Sequence, residues 1–161
     1  MSDNLAVYLH DHLVGSHLAV HLLASLNDQY KNEELGAFAL GLSYEIKQDQ
    51  AILQSMIDQV GKVSIDMTEA TAWLAEKVSR LKLKRDDSAG GIGTFEALET
   101  LALGIRGKLE LWQVLPVIHE VDERIPDRDY EHLSARALEQ YKLVEQHRLQ
   151  MARVTFKPEP Q

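Results

Sequence analysis

Apolar residues recur along this chain at intervals of three and four rather than two, so its long segments read as amphipathic helices. On a wheel turning about 100° per residue, Leu5, Tyr8, Leu9, Ala19, Leu23 and Leu26 gather on one side. This predicts a first helix, Leu5 to Leu26, with that side buried and Asp3 or Asn4 as its cap. The polar stretch NDQYKN interrupts the pattern. A second helix is predicted from Leu35 to Val60, with Leu35, Phe38, Leu42, Ile46, Leu53, Met56 and Val60 inward and Gly61 as a favourable stop. A shorter third helix starts at Asp66, whose spacing to Glu69 resembles a capping box; Met67, Ala70, Leu74, Val78 and Leu81 form its apolar side, beside Trp73.

The basic run Lys77, Arg80, Lys82, Lys84 and Arg85 suits a helix C-terminus, and the linker DDSAGGIG follows. Its glycines lack the Gly-Lys-Ser/Thr ending of a phosphate loop. A fourth helix is predicted from Thr94 to about Leu115, burying Phe95, Leu98, Leu101, Ala102, Ile105, Leu109 and Trp112. Gly104 and Gly107 each cost it about 1 kcal/mol against alanine, which predicts a close approach by another element. Pro116 kinks or ends it, with a continuation through His119 to about Arg124. The fifth helix, Arg128 to about Thr155, buries Tyr130, Leu133, Ala137, Tyr141, Val144 and Met151. One domain over residues 1–156 is expected, with 157–161 as a flexible tail.

Several polar residues interrupt the apolar stripes. His12 projects from the buried side of the first helix, next to Gly15 and Ser16, while His10, His17 and His21 cluster on the opposite side. Asp49 falls inside the second helix's stripe, with Glu45 at its margin. A hairpin turn centred on Gln29 to Asn32 would bring His12 level with Asp49, and Ser16 level with Glu45. An unpaired buried carboxylate is costly, so cationic partners are expected; Lys108 lies at the edge of its helix's stripe and Arg148 at the centre of its own. The expected buried polar network is therefore His12, Glu45, Asp49, Lys108 and Arg148. His12, Glu45 and Asp49 could alternatively bind a metal, and His10, His17 and His21 could form a weak surface site, although a solvated stripe explains those three as well.

The formal net charge of −8 argues against nucleic acid or an anionic membrane as a partner. With no cysteine, thiol chemistry and Cys-based metal sites are excluded. The sequence has no basic leader and no run of about 18 apolar residues, so a cytoplasmic location is the default expectation. No serine sits in a nucleophile-elbow pattern.

The segments YLHDHLVGS, LSYEIKQDQAIL, AWLAEKVSRLKL, LALGIRGKLELW and EQHRLQMAR make the chain similar to small bacterial ferritin-like proteins of uncharacterised function. The resemblance implies an all-α fold: a ferritin-like antiparallel four-helix bundle with a shorter helix between its two helix pairs. A ferritin-like di-metal site also needs Glu-x-x-His pairs, and no histidine here has a glutamate three positions before it; Asp129 before His132 is the nearest approximation. The expectation is a non-catalytic bundle without cofactor that binds or self-assembles, most simply as a homodimer using the Trp73 flank and the tail. The alternative is an iron- or manganese-dependent oxidoreductase with an atypical site.

Overall fold

In a computed structural model the described residues are 3–61, 69, 72–73, 75–77, 79 and 91–160. They form four long helices: α1 (Asn4–Gln29), α2 (Glu34–Val60), α3 (Ile92–His119) and α4 (Tyr130–Thr155). The described residues between 69 and 79 are helical too. The cap predicted at Asp66, the basic run from Arg80 to Arg85 and most of the linker lie outside the described residues. Among those described, no strand occurs, and no helix is long and apolar enough to cross a membrane.

Local chemistry sets the helix ends. The Asp3 carboxylate accepts from the Leu5 and Ala6 N–H groups at 3.0 and 3.4 Å, satisfying donors that have no partner within α1. Gly61, at φ 113°, stops α2, and Asp129 caps α4 by accepting from the His132 N–H at 2.9 Å. Pro116 neither ends α3 nor leads it on to Arg124. The helix runs through the proline to His119, whose Nδ1 lies 2.6 Å from the Ile125 carbonyl as the chain turns.

Two apolar clusters fix the topology. One joins Ala6 and Leu9 at the start of α1, Met56 and Val60 at the end of α2, Trp112 and Leu115 late in α3, and Tyr130 and Leu133 early in α4. The other joins Leu23 and Leu26, Leu35 and Leu42, Leu98 and Leu101, and Val144. Thus α1 runs antiparallel to α2 and α3, α4 runs antiparallel to both as well, and α2 and α3 are parallel. Gly61 and Gly91 therefore lie at opposite ends of the bundle.

Polar ties hold each end. The Arg124 guanidinium donates to the Asp3 and Asp122 carboxylates and, at 3.2 Å, to the Val60 carbonyl, joining the start of α1, the end of α2 and the α3–α4 turn. At the far end the Tyr30 and Thr94 hydroxyls meet at 2.8 Å in a buried bond. Close backbone packing joins α1 to α2, α3 to α4 and α1 to α3. The space between α2 and α4 is wider and is bridged by long side chains, Phe38 against His147 among them.

Close approach by a glycine occurs where α2 leaves the hairpin turn. A Cβ on Gly36 would overlap the Tyr30 carbonyl. Gly36→Ala should therefore lose about 1–3 kcal/mol in urea unfolding, despite alanine's better helix propensity. Unchanged or increased stability would contradict this packing.

Candidate functional site

Between the two apolar clusters lies a polar layer built on Asp49, the one charged residue in the buried class among the described residues. Its two carboxylate oxygens are taken by cations from different helices. Lys108 of α3 donates to Oδ2 at 2.6 Å, and Arg136 of α4 donates to Oδ1. Lys108 also donates to Oε1 of the buried Gln140, whose Nε2 donates to Glu45 Oε2 at 2.8 Å. Two carboxylates and two cations are thus linked across α2, α3 and α4. Burial pulls the Lys108 ammonium below its ordinary range, and the facing Asp49 opposes that shift.

Beside this layer a cavity of about 370 Å³ opens among α1, α2 and α3. Tyr8, His12, Ser16 and Ala19 line it from α1, Ile46, Asp49, Gln50 and Leu53 from α2, and Ile105, Lys108, Leu111 and Trp112 from α3. Gly15, Gly104 and Gly107 border it as well, and a Cβ on any of them would meet nothing within 4 Å. The close approach expected at Gly104 and Gly107 is therefore absent; these glycines leave space instead of admitting a neighbour.

The hairpin register differs from the expected one because α1 continues to Gln29 and pushes the turn onto the residues after it. Ser16 Oγ accepts from Gln50 Nε2 at 2.8 Å, so Ser16 is level with Gln50 and not with Glu45. His12 consequently sits about one turn from the Asp49 level and makes no hydrogen bond to it. Its ring meets Tyr8 edge-on, with centroids 4.8 Å apart, and lines the same cavity as Asp49.

Arg148 does not belong to the layer. It lies twelve residues beyond Arg136, about 18 Å along α4 at 1.5 Å per residue. There it pairs with Glu145 at 2.7 Å and Glu99 at 3.0 Å, near the Phe95 ring. Arg136 and Gln140, absent from the expected network, take its place. Their signal in the sequence is the spacing Leu133, Arg136, Ala137, Gln140, Val144, which puts both on one side of α4, next to its core residues.

The alternative ligand sets, His12 with Glu45 and Asp49 and His10 with His17 and His21, are not brought together as metal sites. Among the described residues, no group of three or more His, Cys, Asp or Glu side chains is placed to hold a metal ion. The donor chemistry gives the reason: a dication at Asp49 would have to displace an ammonium and a guanidinium, each already in contact with its oxygens. His17 and His21 are exposed, and His17 Nδ1 lies 3.4 Å from Gln50 Nε2. Burial, and then the charge of His21, pull the His17 imidazole below its usual value. No known protein family, curated protein or solved structure matches the chain, so its reading rests on this geometry.

Removing Asp49 would leave two half-buried cations without the carboxylate that compensates them. Asp49→Ala should cost about 3–5 kcal/mol in urea unfolding, and a loss below about 1 kcal/mol would show that the carboxylate is solvated. Burial also depresses the His12 imidazole below 6.5. The unfolded chain then takes up that proton first as pH falls, so folded stability drops below about pH 6.5 towards the depressed folded value. His17 and His147, shifted the same way, share this slope. His12→Gln should make it shallower; an unchanged stability profile from about pH 7.5 to 5 would overturn the assignment.

Proposed function

We propose that this chain is a non-catalytic ferritin-like bundle in which a charge-compensated network of Asp49, Lys108, Arg136, Gln140 and Glu45 stands where such bundles carry two metals, and that it works by binding. Two features support the ferritin-like reading: neighbouring helices are antiparallel throughout, and the chain passes from the end of α2 to the opposite end of the bundle before α3. The observation that carries the functional reading is the occupation of both Asp49 oxygens by cations. Each oxygen already accepts from a cation, so a metal ion would have to compete with an ammonium and a guanidinium for it.

The proposal includes assembly as a homodimer. Its support is the apolar surface left on the outer faces, where Leu103 and Val121 are 71% and 85% exposed and Trp73 is 45% exposed. Scattered apolar side chains are ordinary on a monomer, so sedimentation equilibrium decides this part.

Metal analysis tests the central reading. Protein purified without a histidine tag should carry substoichiometric iron, manganese and zinc, and the amounts should not change in Asp49→Asn. Stoichiometric iron or manganese that disappears in that variant would replace the proposal with a metal-dependent oxidoreductase using His12, Glu45 and Asp49.

A further inference from the structure

The cavity beside Asp49 has a composition that selects a ligand, and the inference rests on the metal-free, charge-compensated reading of the polar layer. Its volume, about 370 Å³, falls in the range of small-molecule sites and equals roughly a dozen waters of liquid volume. Most of the surface that water filling it would face is apolar and offers few hydrogen bonds.

Among the polar groups of the lining, the buried Nε1 of Trp112, which has no partner among the described residues, and Lys108 have a donor to spare. The Lys108 ammonium has three N–H donors; Asp49 and Gln140 accept two of them, and a third remains on a side chain that lines the cavity. The charge on Lys108 is already answered by Asp49, and the other acid on the lining, Asp11, adds negative charge. A carboxylate or phosphate ligand would therefore meet no uncompensated cation. A neutral oxygen acceptor would complete the ammonium's third bond at no charge cost. Tyr8 and His12 offer accessible aromatic surface to a flat ring, and the nearly fully buried Trp112 completes the lining.

We propose that this cavity binds a small neutral ring compound bearing one carbonyl oxygen, which accepts a hydrogen bond from Lys108 while the ring lies among Tyr8, His12 and Trp112. The glycines at its border serve the site by keeping it open. They cost helix propensity in a place where no neighbouring atom requires a missing Cβ.

Three probes with similar ring bodies separate the terms: 1-tetralone (neutral ketone), tetralin (no acceptor) and 1-naphthoate (anion). Binding to the intact protein would be followed by calorimetry and by the indole N–H resonance of Trp112. The expected order is 1-tetralone tightest, tetralin at least about tenfold weaker, and 1-naphthoate without detectable binding, since a bond to a charged donor is worth at least that factor. Gly107→Leu, whose Cβ enters open space at the border, should abolish 1-tetralone binding while the protein unfolds at the same or a higher urea concentration. Lys108→Met should remove the preference for the ketone over tetralin; should it fail to fold, Gly107→Leu alone keeps the test decisive. Equal affinity for tetralin and 1-tetralone, tighter binding of 1-naphthoate, or undiminished binding by Gly107→Leu would each overturn the proposal. No binding of any probe by metal-free protein would also overturn it, while leaving the charge-compensated network standing.

Discussion

One carboxylate placed where an apolar side chain would be simpler governs the middle of this bundle. Asp49 is 3% exposed, and a charge so far from water is tolerated only if partners replace its hydration. Lys108 and Arg136 do so from two different helices. Because these groups reach Asp49 from α3 and α4, sliding either helix by one turn, about 5 Å, would separate the charges. Arrangements of this kind contribute little net stability compared with a well-packed apolar core, yet they penalise every register in which a charge loses its partner. The apolar clusters at the two ends supply the driving force for folding, and the polar layer between them selects one alignment.

The same layer shapes the cavity. Polar side chains bridge the wide space between α2 and α4, whereas on the side facing α1 glycines and small residues leave room beside Lys108 and Trp112. The half-buried Lys108 ammonium beside that space has two of its donors already satisfied, which is why the proposed selectivity rests on hydrogen bonding and not on net charge. The neutral guest proposed for the adjoining chamber would thus lie beside a carboxylate whose two oxygens already accept from cations.

Much of this was legible from periodicity. The apolar stripes give the four long helices to within a few residues, because amphipathic spacing reports burial directly. Asp49 was found because it interrupts such a stripe, and Lys108 because it stands at the edge of another. Distances along the bundle axis were harder. A shift in where the α1–α2 turn falls moved Ser16 from Glu45 to Gln50, and no wheel projection contains that information. The same blindness makes Arg148 a candidate partner of Asp49, since a wheel discards the rise along α4 that carries it to Glu99 and Glu145 instead. Gly104 and Gly107 were misread for a related reason: a missing side chain is equally consistent with a neighbour pressed close and with a space left empty, and only the surrounding atoms decide. Gly36, where the neighbour is indeed pressed close, carries no different mark in the sequence.

The account depends most on the energetic linkage between Asp49 and the cations that reach it. A double-mutant cycle on Asp49→Asn and Lys108→Met, read by urea unfolding of the two single variants and the double variant, measures that linkage directly. The account predicts strong coupling, about 2 kcal/mol or more, with the double variant losing much less stability than the two single losses added together. Losses that add to within about 0.5 kcal/mol would mean that the two groups do not interact in the folded protein, and the centre of the bundle would need a different explanation.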